Sequence, residues 1–270
     1  MPLLVAATPI GNLQDATPRL VAALGEAALI LAEDTRVARK LCSALGVPAP
    51  TIVSSHAHNE RGRLEGALEL LQQGAVVLLL SDAGAPGLSD PGQPLVAAAH
   101  AQGHEVRGIP GPSAVTTALA ISGLPAVPSA FLGFPPRKPG QRRRFLETGL
   151  ASGMCLVFFE SAGRTPRLVA ELAELAPDRQ ACLCRELTKI HEEVLLDQLP
   201  LLAAALAERR LKGEVALVVG PGEALVVASA EGVAEGQKGA AAALAAAWDL
   251  PKRDVYRALL ELKEQLKGAS

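Results

Sequence analysis

The chain has 270 residues, 49% of them hydrophobic and 20% charged, with a formal net charge of −2. That length allows one large or two moderate domains with ample core, and no stretch has the length of an uninterrupted, charge-free membrane span. The four cysteines, Cys42, Cys155, Cys182 and Cys184, form no disulfide or zinc framework, which points to a reducing cytosol; the start of the chain shows no signal-peptide pattern.

Residues 3–7 read as a short apolar strand running into the turn Pro9-Ile10-Gly11-Asn12. Thr17 followed by Pro18 is a helix cap and first-turn proline, and the helix is expected to reach about Leu24. Next come a strand at 28–32, a helix ending at Leu45 before Gly46, a strand at 51–55 and an amphipathic helix at 59–73 closed by Gly74. The apolar run 75–80 stops abruptly at Ser81-Asp82-Ala83-Gly84, the start of a loop dense in Gly, Pro and Asp. A helix at 93–102 and a strand at 104–108 follow, and Ile109-Pro110-Gly111-Pro112-Ser113-Ala114 opens a helix to Ser122. Apolar strands alternating with helices on short connections predict parallel βα units through the first 120 residues or so.

Five prolines between residues 124 and 140 mark a boundary. Beyond it a second α/β half is expected, with strands at 154–159, 180–185, 194–198 and 214–219 and helices at 165–175 and 199–211. A Gly-, Ala- and Glu-rich connector at 221–236 leads to two helical segments, 239–248 and 252–267, which read as packing elements or as a helix-turn-helix. The expected organisation is an N-terminal α/β domain at 1–122, a Pro-rich linker region at 123–140, a C-terminal α/β domain at 141–222 and a small helical tail at 237–270.

Three loops at strand ends share one chemistry: Pro9 to Asn12, Ser81 to Gly84, and Gly111 to Ala114. Loops after the C-termini of parallel strands form the ligand crevice of such folds, so together they favour a shared pocket. Neither a dinucleotide-binding glycine fingerprint nor a P-loop occurs. His56 and His58, like Cys182 and Cys184, lie two apart with no third and fourth ligand at recognisable spacing, so no metal is expected. Glu160 follows the strand at 154–159, and Glu186 and Lys189 follow the one at 180–185; each is either an ion-pairing residue or a substrate contact at the cleft. No acidic residue occurs between Val106 and Leu146, while Arg137, Lys138, Arg142, Arg143 and Arg144 are all basic. That segment is either a solvated helix start or a site that attracts a polyanion, and Phe131, Phe134 and Phe145 leave room for one or two stacked bases.

Taken in order, ATPIGNLQDATPR (7–19), AEDTR (32–36), HAHNE (56–60), SDAGAPGLSDPG (81–92), IPGPSA (109–114), GFPPRK (133–138), RELTK (185–189) and KGE (212–214) resemble one family closely. It is the ribosomal RNA small subunit methyltransferase I family of the tetrapyrrole methylase superfamily. The resemblance implies two α/β domains with S-adenosylmethionine in the cleft between them. It implies 2′-O-methylation of a cytidine in the decoding region of 16S rRNA, within the small ribosomal subunit, by a cytoplasmic homodimer. By position, Pro9, Asp82, Ala83, Gly84, Ser113 and Ala114 would surround the donor, with Phe159 and Ala216 joining from the second domain. Relatives often carry Thr where this chain has Ala85, which removes one hydroxyl. A ribose hydroxyl is a poor nucleophile while protonated, and Glu160, Glu186 and Lys189 are the candidates to assist it. The alternatives are a tetrapyrrole methyltransferase, which shares the fold, and a non-catalytic RNA-binding module.

Overall fold

The computed structural model describes residues 2–55, 60–87 and 91–223, with 251, 253–255 and 257 beyond them. The histidines of HAHNE, residues 88–90 of the glycine-rich loop and almost all of the proposed helical tail lie outside the described residues. Residues 1–223 form one compact unit.

Its first half is a parallel sheet of β1 (Leu3–Ala6), β2 (Leu29–Ala32), β3 (Thr51–Ser54), β4 (Val77–Leu80) and β5 (Val106–Ile109), in the order β3-β2-β4-β1-β5. Helices α1 (Pro18–Glu26), α2 (Thr35–Ala44), α3 (Glu60–Gln72), α4 (Gln93–Ala101) and α5 (Ala114–Ile121) connect or follow them. Side-chain caps open α1 and α2: Thr17 Oγ1 accepts from the Leu20 amide at 3.1 Å, and Asp34 accepts from the Arg36 amide at 2.8 Å. Strands β2 and β4 are buried at every position because helices cover both faces. Ala6, Ile30, Ala32, Leu78 and Leu80 pack with Leu20, Leu24 and Cys42 on one side. On the other, Leu3, Leu29, Leu31, Val77 and Leu79 pack with Leu68, Leu71 and Leu95.

The second half is a mixed sheet of β6 (Ser129–Gly133), β7 (Cys155–Ser161), β8 (Gln180–Arg185), β9 (Glu193–Gln198) and β10 (Glu214–Val219), ordered β6-β7-β10-β8-β9. Only β6 and β7 run parallel; the other neighbours are antiparallel. Alternation along the strands divides its residues between two cores. Leu156, Phe158, Leu183, Leu217 and Val219 face α6 (Pro139–Ala151), α7 (Thr165–Leu175) and α8 (Leu199–Leu206). Cys155, Val157, Cys182, Cys184, Ala216 and Val218 face Ala118 of α5, so this second core joins the two halves.

The stretch 123–140, read as a linker region, contains β6 and the start of α6. Its prolines flank these elements: Pro128 precedes β6, Pro135 and Pro136 follow it, and Pro139 opens α6, where no backbone donor is needed. Helix α8 ends at Leu206 instead of 211, and Arg209 beyond it reaches back to Glu193 at 2.7 Å.

Candidate active site

Strands β4, β1 and β5 are neighbours and level at their C-terminal ends, where Ala6 pairs with both Leu80 and Ile109. Three loops therefore leave the sheet side by side. Thr8 and Gly84 exchange both backbone hydrogen bonds, at 2.9 and 3.1 Å. The buried Ser81 hydroxyl donates to the Gly84 carbonyl at 2.8 Å, and the buried Thr8 hydroxyl donates to the Ser81 carbonyl at 3.3 Å. Gly84 holds φ +81°, and a Cβ there would touch Ile10 Cγ2 at 3.4 Å and the Pro112 carbonyl at 3.8 Å. One glycine is thus the point where all three loops meet. Gly111 lets the third loop lie on Ala7, whose Cβ and carbonyl oxygen would stand 3.1 and 3.3 Å from an added Cβ.

Opposite these loops, Phe159, Ala216 and Cys184 form a row across β7, β10 and β8 in direct register. A cavity of about 420 Å³ lies between, walled by Ile10, the Asp82 to Ala85 loop, Ser113 to Val115, and that row. Phe134, 58% exposed, stands at its edge with its ring 5.7 Å from that of Phe159 in an edge-on contact. Asp82 accepts from the Asp34 amide at 3.0 Å, which ties the second loop to the start of α2. The Cys184 thiol is 3.8 Å from that of Cys182. The Cys182 contact and burial push Cys184 far up, so it remains a thiol and forms an apolar part of the wall.

The remaining wall is the RELTK segment with Gly213 and Glu214. Glu186 and Thr188 hold positive φ, 52° and 65°, which side-chain-bearing residues adopt at a cost of about 1–3 kcal/mol each. Such strain concentrates where function needs a fixed geometry, and here it aims Lys189 across the cleft. The Lys189 stem and Thr188 Oγ1 pack so tightly on Gly11 that no Cβ would fit there. Lys189 Nζ donates to Glu186 at 2.9 Å and to Glu214 at 2.8 Å. Burial pulls the ammonium pKa down, but bonds from Glu214 and Glu186 outweigh it and hold the value above that of an ordinary lysine. Glu186 is held low by Lys189 and by the Glu214 amide. Thr188 Oγ1 is buried with no hydrogen-bond partner among the described residues.

Most of the expected site residues come together here. Asp82, Ala83, Gly84, Ser113, Ala114, Phe159, Ala216, Glu160 and Lys189 all line the cavity. Pro9 is half-buried beside Ile10, which takes the wall position instead, and Glu186 stands behind Lys189. Glu160 is buried with both oxygens engaged, by Arg164 at 2.7 and 2.6 Å and by the Ser161 amide at 2.8 Å, the geometry of a brace. Lys189, one of the candidates to assist the hydroxyl, is held by two carboxylate partners that favour its charged form. Arg142 as an RNA contact is corrected: it is buried and bidentate on Glu171 at 2.6 and 2.5 Å. Arg137, Lys138, Arg143 and Arg144 are exposed, with Arg143 paired to Glu147 at 3.0 Å. Cys184, Leu187 and Glu214 received no site role from the sequence; period-2 alternation marks Cys184, and the KGE motif contains Glu214.

The donor set suits S-adenosylmethionine. Apolar and aromatic walls can seat a nucleoside, Asp82 and Glu214 on the lining would supply negative charge to a bound sulfonium, and the Thr188 hydroxyl, without a partner among the described residues, adjoins the wall residues Leu187 and Lys189.

A family model described as Tetrapyrrole (Corrin/Porphyrin) Methylases matches residues 2–203. A curated protein of Mycobacterium tuberculosis (strain CDC 1551 / Oshkosh), named Ribosomal RNA small subunit methyltransferase I, is 42% identical over 280 residues, covering 98% of this chain and 97% of that protein. A protein of the same name from Thermotoga maritima is 38% identical over 217 residues, covering 80% of this chain and 97% of its own. Among solved structures, the methyltransferase CobJ superposes with a TM-score of 0.58 at 22% identity, over 82% of this chain and 95% of that one. Uroporphyrin-III C-methyl transferase from Thermus thermophilus, complexed with S-adenyl homocysteine, superposes with a TM-score of 0.54 at 21% identity, over 81% and 96%.

Proposed function

The chain belongs to the tetrapyrrole methylase family, and from that premise we propose that it uses S-adenosylmethionine to methylate 16S rRNA of the small ribosomal subunit. The position we propose is the ribose 2′-oxygen of a cytidine in the decoding region. The observation that carries the reading is the three-loop cavity closed by Phe159, Ala216 and Cys184, with Phe134 and an exposed basic segment beside it. Similarity along nearly the whole chain to curated rRNA methyltransferases, at 42% identity, supports RNA over a tetrapyrrole, since the solved uroporphyrin-III C-methyl transferase is only 21% identical.

When bound, the donor supplies a methyl already activated on a positive sulfur. The protein's part is then alignment and exclusion of water. Ile10, Val115, Phe159 and Leu187 provide dry walls, while Asp82 and Glu214 favour the cation. Lys189 keeps its proton and acts as a fixed positive donor at the rim, braced by Glu186. Glu160 fixes Arg164. Glu214, 79% exposed and holding Lys189 at 2.8 Å, is the rim carboxylate that would take the hydroxyl proton as the methyl leaves sulfur for the ribose oxygen. Arg137, Lys138, Arg143 and Arg144 attract the RNA backbone. We place the enzyme in the cytoplasm and propose that it works as a homodimer, the second reading supported by the apolar Val194 and Leu196 exposed on the edge strand β9.

The test offers labelled S-adenosylmethionine with small ribosomal subunits or a uroporphyrin-type tetrapyrrole as acceptor. Label in 16S rRNA is expected; label in the tetrapyrrole alone would overturn the RNA assignment, and absence of donor binding would overturn the enzyme.

A further inference from the structure

A second cavity, about 320 Å³, lies beside the first and shares Glu160 with it; its wall includes Arg137, Arg142, Arg164 and Arg167. One loop serves both cavities, with Phe134 at the edge of the first and Arg137, three residues on, in the second. That loop is pinned by its carbonyls: Pro135 accepts from Arg164 and Arg137 accepts from Arg142, each at 3.4 Å.

The guanidiniums are of two kinds. Arg142 is bidentate on Glu171, and Arg164 is bidentate on Glu160 at 2.7 and 2.6 Å, so these two shape the cavity. Arg167 touches Glu171 only through Nε at 3.2 Å and is 62% exposed. Arg137 is exposed and makes no side-chain ion pair among the described residues. Two carboxylates thus face four guanidiniums, and positive charge is in excess. Gly163 and Arg164 add the N-terminal end of α7, whose dipole favours an anion in the same place.

We propose that Arg137 and Arg167 form a seat for an RNA backbone phosphate adjoining the nucleotide that is methylated, with Phe134 offering its ring to the base between the two cavities. The inference rests on the RNA reading above and adds to it the residues that position the substrate. A phosphodiester presents two anionic oxygens, which two guanidinium forks can meet directly. Arg142 and Arg164 hold the loop so that the spacing between ring and guanidinium is set before RNA arrives.

Full-length Arg137→Ala, Arg167→Ala and the double variant test this, with S-adenosylmethionine affinity by calorimetry and methylation of small ribosomal subunits over a salt series. Each single variant is expected to raise KM for subunits about tenfold or more, the loss of a charge-assisted bond, with kcat and donor affinity little changed. The salt dependence of kcat/KM should flatten by about 0.7–0.9 in log–log slope per arginine removed. Arg137→Lys should keep the slope and recover only part of KM. A double variant with wild-type KM and slope removes the seat, as does a loss of donor affinity that matches the rise in KM. A wild-type protein that transfers no methyl to subunits removes the RNA reading itself, and the seat with it.

Discussion

Gly84→Ala separates the cost of a backbone conformation from the function that conformation serves. Gly84 sits at φ +81°, and an added Cβ would meet Ile10 Cγ2 at 3.4 Å, an ordinary contact. The penalty is therefore that of a left-handed backbone, about 1–2 kcal/mol. Gly74 closes α3 at φ +78° with nothing within 4 Å of its added Cβ, so Gly74→Ala carries the same penalty away from the cavity. Both variants should melt about 2–8 °C below wild type in a chain of this size. Only Gly84→Ala should weaken donor binding. Its relaxed loop would loosen the paired bonds to Thr8 and shift Ile10, Ala83 and Ala85 in the cavity wall. If binding must restore the strained turn, the same 1–2 kcal/mol reappears as an increase in Kd of about 5–30-fold. Calorimetric titration of S-adenosylmethionine into both variants decides the matter. Equal Kd values for the two would refute Gly84 as the junction that shapes the donor site.

Arg142→Ala should lose about 2–3 kcal/mol of stability, because it strips a buried partner from Glu171, whereas Arg144→Ala should stay within about 0.5 kcal/mol of wild type. Denaturant titration of both checks this, and Arg144→Ala alone should flatten the salt dependence of RNA binding while remaining fully folded. Lys189→Arg should retain methyl transfer, since it keeps the charge that Glu186 and Glu214 hold in place. A proton-accepting lysine would instead lose turnover entirely, because arginine does not deprotonate. Lys189→Met should cost about 1 kcal/mol at neutral pH. The raised lysine contributes fully below its ordinary value of 10.5 and loses that contribution as pH climbs through the raised one. The lowered Glu186 contributes fully above 4.5 and loses that as pH falls through its depressed value. The stability gap between wild type and Lys189→Met should thus be flat from about pH 5 to 10 and close at both ends, read from melting curves across pH.

The loop side of the cavity was legible because local chemistry writes it. Apolar runs that stop at Ser81-Asp82-Ala83-Gly84 or at Gly111 and Pro112 state both a buried strand and a loop that must approach something closely. The row of Phe159, Ala216 and Cys184 was legible only in part, since it depends on the register of three strands far apart in sequence. Arg142, Arg143 and Arg144 are the same residue type in succession, and only their angle around α6 decides that one meets Glu171 and is buried. The ion pair of Lys189 with Glu214 was not legible, because the two lie 25 residues apart. Strand β6 was hidden by prolines that end up bordering it.

The most direct test of the account is the chemical position of the transferred methyl. Small ribosomal subunits are labelled with methyl-tritiated S-adenosylmethionine, and their 16S rRNA is then hydrolysed in alkali, which cuts only beside a free 2′-hydroxyl. The account predicts label in alkali-resistant dinucleotides carrying cytidine on the 5′ side. Label released in mononucleotides, or no label in the RNA at all, would contradict it.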